Sequence, residues 1–411
     1  MAGSGLARIA ILIGVVLALW WLSGLGRVPA DPRQIFGAEQ VARAEAYSAP
    51  RYLAGTVAIV LGLAALAILA FTRLGDRVID PLRGWPWPLA VATAAAVALT
   101  ARGLARLPPT YWAGHLHERA WGFSTQSSAR WLSDWLKGLG IGIVTMALVL
   151  VVLFAIIRSF PRLWPALAAL AAAGFTLVLS FAGPLLFEPA FNRFHPLEDR
   201  AFAAELRELA DRAGVPVRQV LVADASRRTT KENAYVSGLG ATRRLVVYDT
   251  LLRQAPREEV RLVVAHELGH RRLGHLEIGS AVAALGAAGA VVLLWLLFRW
   301  GVLRGSPADP RAVPAILFVF SLLTVATLPV QNLVSRTMER AADRFAVRLT
   351  ADPHGYARMM RGLATRNLSD LDPGPVAYRF VFTHPAPAER VVEASRTTGE
   401  PPGRTEDAVI G

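Results

Sequence analysis

The stretch VVAHELGHRRLGH, residues 263–275, contains two histidines and a glutamate at the spacing of metal ligands. His266 and His270 are four residues apart, so on an α-helix both imidazoles lie on one face and can bind a single zinc ion. Glu267 lies beside that face, where its carboxylate can take a proton from a water molecule activated by the metal. The motif therefore predicts a hydrolytic zinc site with Glu267 as general base.

A hydrolytic zinc ion needs a third protein ligand. His275 follows His266 by nine residues, which on a continuous helix places it on the opposite face, so a supporting or packing role is expected. Glu339, in the polar segment NLVSRTMERAADRFA, is the better candidate. Asp343 lies four residues later on the same helical face and can hold the free N–H of a ligand histidine. The alternative is an ordinary charged helix in which Glu339 pairs with neighbouring arginines.

The composition indicates an integral membrane protein. Of the 411 residues, 54% are hydrophobic, and the mean hydropathy is +0.39, both unusual for a soluble chain. Cysteine is absent, so any metal must take nitrogen and oxygen ligands. The net charge of +13 comes from scattered arginines. Because no basic run is interleaved with aromatic residues, the expected partner is the lipid bilayer and not nucleic acid.

Seven segments are long and apolar enough to cross a bilayer, which predicts a mainly α-helical polytopic membrane protein. They cover residues 9–26, 52–71, 87–100, 139–157, 165–187, 278–298 and 313–333. The first could instead be a cleaved signal sequence, because Arg8 precedes an apolar core and Val-Pro-Ala at 28–30 is a tolerable cleavage site.

The short loops carry similar numbers of Lys and Arg on both sides of the membrane, so they do not decide the orientation of the chain. The arginine-rich polar segments favour a catalytic site on the cytoplasmic side of the cell membrane.

Two polar segments are expected to form one membrane-apposed metalloprotease domain. The predicted domains are a membrane domain at 1–187, a first protease part at 188–277, two spans at 278–333, and a second protease part with a flexible tail at 334–411. Helix and strand patterns in the first protease part predict α-helices with a small antiparallel β-sheet. Since two crossings return the chain to the same side, the HExxH helix and Glu339 are expected at one membrane surface.

At these residues the sequence resembles the type-1 CAAX prenyl endopeptidases, which are seven-span integral-membrane zinc metalloproteases. The segment NLVSRTMERAAD is similar to the one that supplies their third zinc ligand. HERAWGFSTQSSARWLSDWLKG, residues 117–138, resembles their loop before the fourth span. PAFNRFHPLED and ENAYVSGLGATRRLVVYDTLL also resemble their segments, in the same order. The resemblance extends from about Tyr111 to Arg390, and the first hundred residues match only in the pattern of spans.

The resemblance implies a substrate-binding strand. Residues 233–239, including Asn233, Ala234 and Tyr235, would form an edge strand that pairs with an extended peptide. Backbone pairing of this kind fixes a peptide beside the metal without demanding a particular sequence.

The resemblance also implies roles near the C-terminus. His384, in THPAPAER, would donate to the developing oxyanion, and Arg390 would hold the substrate backbone or its carboxylate. Without the resemblance, His384 reads as a surface histidine in a Pro-rich loop. Arg336 matches the motif around the third ligand and would support the structure around the site.

The leading expectation is an integral-membrane zinc endopeptidase of the HExxH-plus-Glu type, with one Zn²⁺ per chain. Its partners would be peptide or protein substrates, including lipid-modified or membrane proteins. The alternatives are a heat-shock-type membrane quality-control zinc protease and a transporter with a structural zinc ion. Nearly charge-free spans argue against the transporter. Richness in Ala and Arg is typical of a high-GC, bacterial genome, where CAAX processing is not expected, and quality control or peptide maturation is then the expected task.

Overall fold

The structure, a computed structural model, describes residues 18, 21, 23, 24, 26–238 and 242–396. Within these residues, six helices are long and apolar enough to cross a membrane: Ala38–Phe71, Trp87–Ala120, Ser128–Ser159, Trp164–Pro184, His275–Arg299 and Ala312–Thr350. They contain the second to seventh predicted spans. The prediction of a helical polytopic membrane protein is therefore confirmed. The first predicted span, 9–26, lies mostly outside the described residues.

The helices are numbered here in chain order. They are α1 (Pro32–Phe36), α2 (Ala38–Phe71), α3 (Arg73–Ile79), α4 (Trp87–Tyr111), α5 (Glu118–Ala120), α6 (Ser128–Ser159), α7 (Trp164–Phe187), α8 (Arg200–Arg212), α9 (Asp249–Gln254), α10 (Arg257–Arg272), α11 (His275–Arg299), α12 (Ala312–Thr350), α13 (Pro353–Arg366), α14 (Pro375–Phe380) and α15 (Pro387–Arg396). A π-helical segment, Trp112–His117, follows α4.

The chain divides into two compact units. The first unit takes its residues from 1–52, 192–276 and 326–411, and the second from 53–191 and 277–325. Every residue that the sequence assigns to the chemistry belongs to the first unit.

The second unit packs membrane-length helices through small residues. Ala90, Ala94 and Ala98 lie four residues apart on α4 and are fully buried in one cluster with Leu150 and Phe154 of α6. Alanine has almost no side chain to keep two helices apart, so this stripe lets the helix axes approach closely. Long apolar side chains on other faces of α6 stay exposed, as lipid-facing residues do.

The first unit contains a four-stranded sheet in the order β1-β2-β4-β3. Its strands are β1 (Phe194–Pro196), β2 (Gln219–Ala223), β3 (Ala234–Ser237) and β4 (Arg244–Tyr248). The sheet is mixed, because β2 and β4 run parallel, so the expectation of an antiparallel sheet is wrong in this respect. The cause is the placement of the β3–β4 hairpin, whose second strand lies beside β2. This arrangement leaves β3 at the edge.

Helix α10 carries the HExxH motif against the core of the first unit. It begins after Pro256, with Glu258 and Glu259 in its first turn and basic residues in its last turn, both favourable to the helix dipole. The buried residues Val260, Val264 and Leu268 fix its apolar face. The helix ends at Arg272, and Gly274 (φ +68°) makes the left-handed turn that precedes α11.

Helix α12 is 39 residues long and includes both the last predicted span and the polar segment with Glu339 and Asp343. At 1.5 Å per residue such a helix is about 58 Å long, which exceeds the roughly 30 Å of a bilayer core. The polar segment predicted after the last span is therefore continuous with that span.

Candidate active site

Three side chains converge at the expected metal site. His266 Nε2 lies 3.0 Å from His270 Nε2. Glu339 Oε2 lies 3.3 Å from His266 Nε2, and Glu339 Oε1 lies 3.2 Å from His270 Nε2. The three residues form a group able to hold a metal ion. Two imidazoles and a carboxylate thus present one donor atom each to a common point.

The glycine inside the HExxH motif permits this convergence. A Cβ atom at Gly269 would lie 3.1 Å from Phe345 Cδ1 and 3.2 Å from both Cα and the carbonyl oxygen of Ala342. Two of these neighbours are backbone atoms of α12, which cannot move aside easily. Gly269 therefore lets α10 approach α12 closely enough for Glu339, one turn before Ala342, to reach the histidines.

Asp343 supports the first histidine. Its Oδ1 lies 2.9 Å from His266 Nδ1, the ring nitrogen that does not face Glu339. When Nδ1 carries the proton and donates it to Asp343, Nε2 keeps its lone pair free for a metal. Asp343 also accepts from Arg390, at 2.9 Å from Nε to Oδ2 and 2.5 Å from Nη2 to Oδ1.

Tyr356 is a further participant that the sequence did not reveal. Its side chain is fully buried. The hydroxyl donates to Asp343 Oδ1 at 2.5 Å and lies 3.2 Å from His266 Nδ1. In the sequence Tyr356 is one of several apolar residues on the amphipathic helix α13, and nothing there separates it from an ordinary core tyrosine. Burial, and after it the negative charge of Asp343, raises the pKa of Tyr356 well above its usual value, so the hydroxyl stays a donor.

The buried groups of the site have shifted pKa values. Burial alone would lower the pKa of His266, but the adjacent carboxylates of Asp343 and Glu339 outweigh burial and raise this pKa to about 10. Burial raises the pKa of Glu267 above its ordinary value, against the opposing effect of the neighbouring histidines. Arg390 keeps its charge, because its pairing with Asp343 outweighs burial and raises its pKa.

His275 lies beside the site without facing the common point. The chain turns at Gly274, so α10 and α11 are separate helices and His275 is the first residue of the second. Its Nδ1 lies 2.9 Å from Nδ1 of His270. His275 can therefore accept the Nδ1 proton of His270 and leave His270 Nε2 free, which agrees with the expected supporting role.

His384 lies next to Glu339, and its side chain is accessible to solvent. Its side chain is 55% exposed, and its Nε2 lies 3.3 Å from Glu339 Oε1. Thr383 Oγ1 lies 2.8 Å from the other ring nitrogen. The imidazole is therefore oriented by a neighbour and remains accessible from outside.

Arg336 holds the segment that leads to His384. It is fully buried and donates from Nη1 to the carbonyl oxygens of Tyr378 and Phe382, at 2.9 and 2.8 Å. Its guanidinium also lies over the ring of Tyr378, 4.4 Å from the centroid. These contacts connect α12 to the segment that precedes His384, and the supporting role of Arg336 stays a prediction.

The residues predicted to bind substrate lie at the sheet edge. Ala234 and Tyr235 belong to β3, and Asn233 precedes it and accepts from Tyr248 N through its carbonyl oxygen at 3.0 Å. Within 26–238 and 242–396, no strand pairs with the outer side of β3. Within these residues β3 is therefore an edge strand of the sheet.

Comparisons with known proteins match both parts of the chain. Residues 22–193 match the family model described as CAAX prenyl protease N-terminal, five membrane helices, and residues 196–398 match peptidase family M48. The CAAX prenyl protease 1 homolog of Arabidopsis thaliana is 30% identical over 69% of this chain and 68% of its own length. This chain belongs to the CAAX prenyl protease family of M48 peptidases. It is therefore an integral-membrane metalloendopeptidase, as the sequence predicted.

Two further relatives extend the similarity. The uncharacterized metalloprotease YhfN of Bacillus subtilis is 28% identical over 98% of this chain and 97% of its own length. The crystal structure of S. mikatae Ste24p has the same fold, with a TM-score of 0.77 and 22% identity over 95% of this chain and 96% of that one.

Family membership decides between the interpretations left open by the sequence. Membership in a peptidase family excludes the interpretation as a transporter with a structural metal. The match at 22–193 favours the CAAX prenyl protease type over the heat-shock type of membrane zinc protease. The family also implies a metal cofactor and peptide or protein substrates at a membrane. The group formed by His266, His270 and Glu339 is where such a metal fits.

Proposed function

We propose that this metalloendopeptidase uses zinc, held by His266, His270 and Glu339. The observation that carries the proposal is the spacing of the donor groups: the two Nε2 atoms lie 3.0 Å apart, and each lies 3.2 or 3.3 Å from one carboxylate oxygen of Glu339. A tetrahedral zinc ion with ligands at about 2.0–2.1 Å separates its donor atoms by about 3.4 Å, so the group fits with very small adjustments.

The donor set supports the same metal. Glu339 Oε2 is buried and has no hydrogen-bond partner among the described residues, and such an oxygen is costly unless a cation satisfies it. Two imidazoles and one carboxylate match the three-ligand sets of catalytic zinc, which leave a fourth position open. When bound, zinc acts as a Lewis acid that polarises a carbonyl and lowers the pKa of water.

Glu267 is the proposed general base. It accepts a proton from the attacking water and returns it to the departing amine. A carboxylate with an ordinary pKa is a weak base near neutral pH, and the raised pKa of Glu267 brings it closer to the value that proton transfer needs. The carboxyl group can then serve in both steps.

His384 is proposed to donate from its imidazole to the oxyanion that forms on the scissile carbonyl. Its exposed position, 3.3 Å from Glu339 Oε1, supports this role, because a substrate carbonyl near the ligand group would lie within its reach. Arg390 was predicted to touch substrate, but both its Nε and Nη2 donate to Asp343. We therefore propose that it acts mainly by fixing Asp343.

The proposed substrates are extended peptide segments that pair with the free edge of β3. Such pairing uses main-chain hydrogen bonds and so accepts many sequences. Relatives in yeast and plants carry the name CAAX prenyl protease 1, whereas substrate capture by the strand needs no lipid. We propose that cleavage does not depend on a prenyl group, as suits peptide maturation or quality control.

The test uses one peptide sequence in farnesylated and unmodified forms, with purified full-length protein loaded with zinc. We expect both forms to be cut, and the Glu267→Gln variant to cut neither while it retains one zinc per chain. Cleavage of the farnesylated form alone would contradict the proposed substrate class. Undiminished cleavage by Glu267→Gln would contradict the mechanism.

We further propose that the chain lies in the cell membrane with the catalytic site on the cytoplasmic side. The absence of cysteine makes this simple to examine. A cysteine replacing the exposed Glu208 should react with a membrane-impermeant maleimide only after the cells are opened. Labelling of intact cells would reverse the orientation.

A further inference from the structure

Side-chain hydrogen bonds connect edge strand β3 to helix α10 at both ends of the strand. These two connections are called the fastening points. Helix α10 carries His266, Glu267 and His270 between the two fastening points, and each point depends on one arginine. Arg271 and Arg366 are not members of the converging group of His266, His270 and Glu339.

The first fastening point precedes the strand. The carboxylate of Glu232, with a side chain 0% exposed, accepts from Arg366 at 2.5 Å from Nε to Oε1 and 3.0 Å from Nη2 to Oε2. The same Nη2 donates to Glu259 Oε2 at 2.6 Å, and Glu259 lies in the first turn of α10. Arg366 therefore joins the residue before Asn233 to the beginning of the metal-binding helix.

The main chain at this point is held as well. Asn367, next to Arg366, accepts from Glu232 N through Oδ1 at 3.0 Å and donates from Nδ2 to Glu232 O at 3.1 Å. One side-chain amide thus satisfies both backbone groups of Glu232, much as a neighbouring strand would. The position of Glu232 along the strand direction is fixed by these bonds.

The second fastening point follows the strand. Arg271, one residue after the ligand His270, donates from Nη2 to the carbonyl oxygen of Gly238 at 2.5 Å. Gly238 has φ +82°, and a Cβ atom there would lie 2.3 Å from the carbonyl oxygen of Thr242. The backbone can therefore present this carbonyl to Arg271 only with glycine at the position.

The distance between the two fastening points is similar along the helix and along the strand segment. Glu259 and Arg271 are twelve residues apart on α10, which is about 18 Å at 1.5 Å per residue. Glu232 and Gly238 flank the strand and are six residues apart, which is at most about 20 Å at 3.3 Å per residue. Helix and strand therefore run side by side in the same direction, with the HExxH residues between their ends.

We propose that Arg271 and Arg366 are positioning residues that decide which peptide bond of a bound substrate is cut. The proposal rests on the proposed function, in which a peptide pairs with the outer edge of β3. Pairing fixes the position of the peptide relative to β3, and the two arginines fix the position of β3 relative to α10. Together these contacts determine which peptide bond of the substrate lies opposite Glu267. A loosened strand lets the peptide slip by two residues, the smallest step that keeps each side chain on its own face.

The experiment measures product masses from one unmodified peptide, cut by the zinc-loaded full-length protein. In the Arg271→Ala variant we expect kcat/KM at the original bond to fall about tenfold, equivalent to about 1.4 kcal/mol. New products two residues to either side should appear. Arg272→Ala is the matched control, because Arg272 is the exposed neighbour and its removal changes the charge equally.

Arg366 is examined by the paired change Glu232→Gln/Arg366→Gln, because removing the arginine alone would leave a buried carboxylate without its cation. Arg358→Ala, an exposed position on the same helix, is its control. A slower reaction with an unchanged set of products in both variants would overturn the proposal and leave the arginines only a stabilising role. Cleavage by Glu267→Gln would instead contradict the proposed function, and product masses report on the two separately.

Discussion

Arg390 donates two hydrogen bonds to Asp343, from Nε to Oδ2 at 2.9 Å and from Nη2 to Oδ1 at 2.5 Å. Paired donation of this kind fixes the plane of the carboxylate. Asp343 Oδ1 then meets His266 Nδ1 at 2.9 Å. The orientation of His266, a proposed metal ligand, is thus controlled from α15 through an aspartate on α12.

This relationship predicts that Arg390→Lys impairs metal binding. Lysine keeps the charge but cannot donate two parallel hydrogen bonds, so Asp343 would lose its orientation. We expect zinc affinity to fall by about 10- to 100-fold, measured by competition with a chromophoric chelator. Arg396→Lys, at an exposed position on the same helix, should bind zinc normally. If Arg390→Lys raised only KM and left zinc affinity intact, a substrate contact would be the better account.

Tyr356→Phe is predicted to have a smaller effect of the same kind. The variant loses one hydroxyl, while Asp343 retains its bonds to Arg390 and His266. We expect zinc affinity to fall by about tenfold, the lower end for a partner of a metal ligand, with a small change in the unfolding midpoint. Equal affinity in the variant and the wild type would show that the tyrosine only fills space.

Gly269→Ala is predicted to separate α10 from α12. The added methyl group would press on Ala342 Cα and the Ala342 carbonyl oxygen at 3.2 Å, and backbone atoms there can yield only by moving the helix. We expect weaker zinc binding and a loss of activity of at least about tenfold, since small displacements of catalytic groups are costly.

The control for this change is Gly279→Ala, because a Cβ atom at Gly279 meets nothing within 4 Å. Activity in this control should equal that of the wild type. A fully active Gly269→Ala protein would mean that the close approach of the two helices does not matter for the site.

Metal loading is predicted to release protons. In the metal-free protein the pKa of His266 is about 10, so at pH 7 the imidazole is protonated, and a ligand nitrogen must lose its proton. Between pH 7 and that pKa, zinc affinity should therefore rise about tenfold per pH unit. Titration calorimetry in buffers of different ionisation enthalpy would count the protons.

Asp343→Asn supplies the control for proton release. Without the carboxylate that helps to raise it, the pKa of His266 should fall, and fewer protons should be released at pH 7. Binding of zinc to the wild type without proton release would contradict the proposed protonation of His266.

The sequence predicted the parts of the fold that depend on local patterns. Long apolar runs predicted the helices within 52–333, and the four-residue spacing of His266 and His270 predicted the helix that carries them, α10. The parallel pairing of β2 with β4 depends on which strand of a hairpin lies beside β2, and a pattern of alternating residues is the same for either neighbour.

In the site, the sequence revealed the residues that lie at helical spacing and did not reveal the others. His266, His270, Glu339 and Asp343 share helical faces at intervals of four, and the structure brings all four together. Tyr356 contacts His266 and Asp343 from α13, and the sequence pattern of that helix predicts only packing in the hydrophobic core. The partner of Arg390 could not be read from the sequence, since Asp343 lies 47 residues away and only folding makes them neighbours.

Helix α12 carries the third converging side chain, 69 residues after His270, beyond α11 and the apolar part of α12 itself. A ribosome therefore synthesises the histidine pair well before the glutamate that completes the group. While the chain is unfinished, or when its last two spans fail to insert, the proposed metal site lacks one of its three donors. With Glu339 as the proposed third ligand, this order of synthesis would leave a nascent peptidase inactive until its last helix has been made.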